Sequence, residues 1–377
     1  MASVEKRIRG GKVTWLARWR EPGGKQCKES FRRKTDAERR LIEVSASLLS
    51  GTYVDANAGK ITVGEYAPGW LSSRVHLKPK TRAGYMSLLK TRVLPQWGTV
   101  PLSRITYGGV SAWVSQMVAE GLSASRTRHA YHLLSGLLDD AVKDSRLVRN
   151  PASGVDLPRL VLQPRRYLTH GQVTELADAS GEYRALVLVL AYCGIRWGEA
   201  AALKVGRVDP LRGRLDIVEA VTDVNGRMVF GSPKSHQHRS VPVPKFLRDE
   251  LAAVMAGKGP GELVFTSPAG AVLRVQNFRR RSFDRATSSV GLDGLVPHEL
   301  RHTAASLAIA SGASVKAVQK MLGHASAALT LDRYGHLFGD ELDTVAERLD
   351  AARAQAAVPR ACPDASVIEM AERRIAR

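Results

Sequence analysis

The hydrophobic period changes along this chain, and no single layer of secondary structure accommodates all of it. Val13, Trp15, Ala17 and Trp19 alternate with Thr14, Leu16, Arg18 and Arg20, the period-two pattern of a strand with one packed face. Pro22-Gly23-Gly24 signals a turn, and residues 26–31 read as a partner strand. Thr35 with Glu38 reads as a capping box that opens a helix over 36–49, which Gly51 ends. From Ile61 to Gly154 the period is helical throughout. A helix over 81–94 is stopped by Pro95, one over 107–119 by Gly121, and a long one over 125–142 carries Leu133, Leu134, Leu137 and Leu138 as its core stripe.

Beyond Tyr167 the pattern is mixed. Thr169 and Gln172 cap a helix running to Ala179, and the apolar run from Ala185 to Cys193 ends at Gly194. That places Arg196 in a helix-to-helix junction before a helix over 197–203. Three short strands are expected over 215–221, 227–230 and 239–243, with Asn225-Gly226 as the hairpin signal. Helices return after Pro297, over 314–322 with Gly323 as terminator, and over 329–337. The expected fold is therefore multidomain α+β. It comprises a small N-terminal three-stranded sheet plus helix (1–55), a helical bundle (61–154), a linker (155–166), a mixed, mainly helical unit (167–349) and a C-terminal tail (350–377).

Charge indicates the partner. Lys and Arg total 56 against 36 Asp and Glu in 377 residues, a formal net charge of +20. The basic residues recur in every third of the chain, which favours several surfaces wrapping a polyanion over one basic arm. A compositional bias of the host toward arginine is the plainer explanation of part of this excess. Candidate contacts are Arg18, Arg20, Lys28, Arg32 and Arg33 on the open side of the N-terminal sheet, which is either laid in a DNA groove or simply solvated. Lys78, Lys80 and Arg82 bracket the first bundle helix, and Arg126 and Arg128 sit in the first turns of the third, where backbone N–H groups also favour phosphate. Three separated cysteines, Cys27, Cys193 and Cys362, form no disulfide framework and fit a reducing cytosol. The apolar run is well short of the ~20 residues that span a bilayer, and no apolar signal segment opens the chain, so membrane insertion and secretion are not expected.

The chemistry concentrates in Pro297-His298-Glu299-Leu300-Arg301-His302-Thr303, followed by Gly323-His324 and Tyr334, with Arg196 and Lys234 upstream. Two guanidiniums suit the non-bridging oxygens of a phosphate that gains charge in the transition state. Tyr334 is a nucleophile once a base takes its proton, and His298 is the acid/base candidate. His324 can donate to a phosphate oxygen, and Lys234 can protonate a departing 5′ oxygen; no step requires a metal or other cofactor. A competing reading exists, because His298-Glu299-Leu300-Arg301-His302 also fits H-E-x-x-H, with His324 as a third zinc ligand. Arg301 inside that motif argues against a zinc site, and the zinc reading leaves Arg196 and Lys234 without work.

The ordered set Arg196, Lys234, His298-x-x-Arg301, His324 and Tyr334 resembles the signature of the tyrosine recombinase, or phage integrase, family, and is similar to integrases of temperate actinobacterial phages. The local contexts match as well: Cys193-Gly194-Ile195-Arg196-Trp197-Gly198-Glu199, Leu322-Gly323-His324-Ala325-Ser326 and Thr330-Leu331-Asp332-Arg333-Tyr334. The resemblance is strong over the catalytic domain and rests on size and order for the two preceding domains. It implies an arm-site-binding domain at 1–55, a core-site-binding domain at 61–154 and catalysis in 167–349. It implies cleavage and rejoining through a 3′-phosphotyrosyl link by a homo-tetramer on double-stranded attachment sites, in the cytoplasm of a bacterial host, with a host architectural factor and an excisionase as further partners. Leu342, Val345, Leu349 and Ala352 would then pack on a neighbouring protomer, or clasp their own. A resolvase or transposase of the same catalytic class and, more distantly, a type IB topoisomerase relative are the enzyme alternatives; a non-catalytic repressor or architectural protein is the alternative from another class.

Overall fold

The computed structural model of the chain describes residues 2–9, 12–21, 23–51, 53–55, 57–161, 165–233, 238–338 and 342–356. It divides into two compact units, Met1–Pro164 with Asp223–Arg227, and Arg165–Thr222 with Met228–Arg377.

The first unit begins with β1 (Ser3–Arg9), β2 (Lys12–Arg20) and β3 (Gln26–Phe31), an antiparallel sheet in that order. Ala17 and Trp19 pack beneath α1 (Lys34–Leu49) against Ala37 and Val44, as period-two alternation dictates. Arg18 and Lys28 are register partners on the opposite face. The expected capping box is absent: α1 begins at Lys34, Arg33 occupies the N-cap without a side-chain bond, and Glu38 pairs with Lys34 at 3.2 Å. Thr35 thus lies inside the first turn, two residues too late to cap it.

A separate core belongs to α2 (Val63–Ser73), α3 (Pro79–Leu88), α4 (Leu94–Trp97), α5 (Tyr107–Ala119) and α6 (Ala124–Lys143). Leu134, Leu137 and Leu138 of α6 are fully buried, as their spacing requires. Pro95 does not stop its helix. The chain passes from α3 into α4 through a π-turn at Leu89–Val93, closed by Leu94 N–H on the Leu89 carbonyl. That wider turn opens the ladder where proline has no N–H to give and where its ring would press on the carbonyl four residues back.

The second unit is built around α8 (Arg184–Cys193), which follows α7 (His170–Ala179) with its Thr169–Gln172 capping box. α8 is apolar on nearly every side, and such a helix belongs in a core. Gly194 ends it at φ 61°, and Arg196 then caps α9 (Trp197–Ala200), one turn long and shorter than the expected 197–203. Five strands follow: β4 (Val208–Asp209), β5 (Arg214–Ile217), β6 (Ala220–Val224), β7 (Arg227–Gly231) and β8 (Arg239–Pro242). The single strand expected over 215–221 is two: β5 lies between β4 and β8, whereas β6 pairs with β7. Asn225 and Gly226, both at positive φ, turn that hairpin. Next come α10 (Lys245–Met255), α11 (Val275–Phe278) and α12 (Asp284–Ser289), the last two joined by a π-turn at Arg279–Phe283. α13 (Pro297–Ala310) packs on the core of α8 through Leu300, and α14 (Val315–Leu322) and α15 (Ala327–Tyr334) enclose a smaller core with Ala305, Ile309 and Tyr334. In α16 (Leu342–Ala356), Leu349 is 66% exposed, while the side chains of Leu342 and Val345 lie outside the described residues, as does Cys362. Among the described residues no helix is long and apolar enough to cross a membrane.

Candidate active site

Four separate segments meet at the end of α8. Gly194 is the first requirement: a Cβ there would lie 2.8 Å from Leu322 Cδ2 and 3.1 Å from Ala304 Cβ, so only glycine lets α8, α13 and α14 approach. Its carbonyl accepts Arg301 Nη1 at 2.5 Å, and the Leu322 carbonyl accepts Nη2 at 2.6 Å. Arg301 is 3% exposed, and burial, with the charge of Arg196 beside it, pushes its pKa down to about 9. It therefore remains a cation at neutral pH.

Arg196 is held by Glu199. The carboxylate accepts the Arg196 backbone N–H at 2.8 Å and Nη1 at 2.9 Å, while Nη2 reaches the Gly323 carbonyl at 3.4 Å. Glu199 also takes a bidentate pair from Arg239, Nη1 to Oε1 at 3.0 Å and Nη2 to Oε2 at 2.5 Å. Burial alone would raise the Glu199 pKa, but the hydrogen bonds and charges of Arg239 and Arg196 outweigh it and hold the carboxyl below its ordinary range.

Tyr334 is completely buried. Its hydroxyl lies 2.7 Å from His302 Nδ1, and its ring lies parallel to that of His324 with centroids 6.3 Å apart. Burial raises the Tyr334 pKa despite the opposing charges of Arg301, Arg165 and Arg333. His302 is pushed down to about 4, by burial first and then by His298 and the arginines; burial and Arg301 lower His324 to about 4. With a neutral imidazole, the tyrosine donates and Nδ1 accepts. His324 Nδ1 lies 3.0 Å from Thr330 Oγ1, in the helix that carries the tyrosine. His298 is exposed, its ring edge-on to His302 with centroids 5.3 Å apart.

Of the six residues singled out from sequence, Arg196, Arg301, His324 and Tyr334 converge here, His298 stands at the rim, and Lys234 lies outside the described residues. Arg239 escaped the sequence reading, and His302 reads from sequence only as a supporting or structural side chain. Arg239 carried no signal beyond opening a strand, and His302, inside the motif, gave no hint that its partner is Tyr334. Of the DNA-contact candidates, Arg20, Lys28, Arg32, Arg33, Lys80 and Arg126 are exposed, and Lys78 and Arg82 are half-buried. Arg18 is half-buried and paired with Glu5 at 2.8 Å, and Arg128 donates to the Pro158 carbonyl at 3.3 Å, so both are already engaged within the protein.

The model of the phage integrase family matches residues 166–340. A putative prophage phiRv2 integrase of Mycobacterium tuberculosis is 30% identical, over 85% of this chain and 88% of its own length. The chain belongs to the phage integrase family. Its members are tyrosine recombinases, site-specific enzymes that cleave and rejoin DNA, and a tyrosine recombinase XerC of Corynebacterium efficiens is 28% identical over 70% of this chain and 82% of its own. The same fold appears in the Tn1549 transposon integrase in complex with a circular intermediate DNA, with a TM-score of 0.68 and 18% identity over 76% of this chain and 99% of that one. It appears again in a lambda integrase tetramer bound to a Holliday junction, with a TM-score of 0.58 and 19% identity over 85% and 95%.

Proposed function

We propose that Tyr334 is the nucleophile of this recombinase and forms the 3′-phosphotyrosyl link during integration and excision of phage DNA at attachment sites. The observation that carries this reading is the convergence of Arg196, Arg301 and His324 on one cluster with Tyr334. In the proposed reaction the Tyr334 oxygen bonds to phosphorus as the P–O5′ bond breaks. Arg196 and Arg301 stabilise the charge on the non-bridging oxygens, His298 takes the proton that Tyr334 gives up, His324 donates to a phosphate oxygen, and Lys234 gives the 5′ oxygen its proton. Rejoining reverses each transfer, so no nucleotide is consumed.

We assign arm-site recognition to residues 1–55, core-site binding to 61–154 and catalysis to 167–349, with 155–166 as linker. Double-stranded attachment sites are the partner, four protomers act together, and the setting is the cytoplasm of a bacterial host; a host architectural factor and an excisionase complete the expected set. The family membership, the net charge and the tetrameric assembly of the lambda relative support this reading.

A nicked suicide substrate tests the nucleophile. In excess EDTA the wild type should trap a covalent complex, whereas Tyr334→Phe should bind the same DNA and trap none. A covalent product from Tyr334→Phe would refute the assignment. Loss of wild-type cleavage in EDTA, restored by zinc, would return the histidines to the metal reading.

A further inference from the structure

Arg239 lies outside the residues singled out from sequence, yet it joins three segments of the site. Its side chain is 8% exposed, and the carboxylate it grips, on Glu199, has no exposure at all. Its Nε donates to the Met321 carbonyl at 3.1 Å, two residues before Gly323. Gly323 itself lies flat on the guanidinium stem: a Cβ there would meet Arg239 Cδ at 3.0 Å and Nε at 3.1 Å. Arg239 is thus bound on one side to the carboxylate that holds Arg196 and on the other to the helix end that presents His324. It also begins β8, immediately after the polar connection that contains Lys234.

We infer that Arg239 is a positioning residue for strand cleavage, which acts through Glu199 to fix the guanidinium of Arg196 against the scissile phosphate. The inference rests on the reading of Arg196 as a phosphate clamp. The physical reason is directional. Glu199 alone has two oxygens and several ways to meet one arginine. A second guanidinium locks the carboxylate plane through parallel bonds and leaves Arg196 a single geometry. Lysine at 239 would keep the charge but lose both the fork and the bond to Met321. The burial of Glu199 makes the arrangement stringent, since its hydrogen-bond partners are the backbone and guanidinium of Arg196 and the guanidinium of Arg239.

The test compares Arg239→Lys with Arg196→Lys in single-turnover cleavage of two suicide substrates. One carries an ordinary scissile phosphate. The other carries a scissile methylphosphonate, whose stereoisomers each replace one charged non-bridging oxygen with methyl. On the phosphate, Arg196→Lys should lose on the order of 100-fold, as removal of one oriented donor does, and Arg239→Lys on the order of 10-fold, as loss of an outer orienting partner does. Both should bind DNA as the wild type does. On the methylphosphonate isomer lacking the oxygen that Arg196 serves, both losses should shrink together.

An Arg239→Lys loss equal on the two substrates, or no loss at all, would overturn the inference while leaving the clamp intact. Absence of any loss in Arg196→Lys would instead sink the clamp itself. If Arg239→Lys melts well below the wild type, the neutral pair Arg239→Met with Glu199→Gln takes its place, with the same substrate-dependent loss expected. Failure of both to fold would make Arg239 a structural strut and nothing more, and the inference would fall.

Discussion

His302 and His324 are buried, and each has a pKa near 4 where the unfolded chain has one near 6.5. The unfolded state therefore binds their protons first, so their contribution to stability is complete above about pH 6.5 and is lost as pH falls toward 4. Trp197 is the sole tryptophan of residues 165–377 and packs on Phe278, so in a variant with phenylalanine at the other five tryptophan positions its fluorescence reports this unit alone. Its urea midpoint should fall between pH 7 and pH 5, and His324→Asn should flatten that slope; a level wild-type midpoint would contradict the burial of both imidazoles. At this scale the sequence was readable where order along the chain carries meaning. Arg196, Arg301, His324 and Tyr334 are recognisable because their residue types recur in a fixed succession. The bond from His302 to Tyr334 and the grip of Arg239 on Glu199 are not, because each depends on how distant segments fold together.

Among the elements, the α8 terminus is the tightest junction, and Gly194→Ala tests it. The new methyl would meet Leu322 and Ala304 from a backbone at φ 61°. Left-handed strain and overpacking together should cost about 2–4 kcal/mol, measured as a lower urea midpoint. Cleavage should fall as well, since the Gly194 carbonyl anchors Arg301. A variant as stable as the wild type would show that the helices have room to part. Hydrophobic period and terminators placed α5, α6, α7 and α14 closely, since each has an apolar stripe and a cap that local chemistry dictates. The failures have a common cause in context. Pro95 would end an ordinary α-helix, but a π-turn upstream absorbs it. Residues 215–221 look like one apolar strand, yet the chain changes sheets between Ile217 and Ala220, where Glu219 turns to pair with Lys204 at 3.0 Å.

For the whole molecule, the N-terminal sheet has its own small core, distinct from that of the helical bundle. Removing residues 1–55 should therefore abolish binding to arm-site DNA and leave cleavage of a core-site suicide substrate intact; arm binding that survives the deletion would dissolve the proposed division. The charge of +20 draws the protein to any duplex, cognate or not. Tyr334, fully buried, cannot meet a phosphate until its ring or helix shifts. Exposing the ring costs about 2 kcal/mol of burial, and the hydrogen bond to His302 adds about 1 kcal/mol. At roughly 1.4 kcal/mol per tenfold, a Tyr334 that is the nucleophile proposed above would be presented in on the order of 1% of molecules. A recombinase scanning a chromosome thus passes the great majority of its encounters with the blade sheathed. Fidelity then comes partly from residence time, because only a sequence that detains the protein gives the rare drawn state a chance to strike.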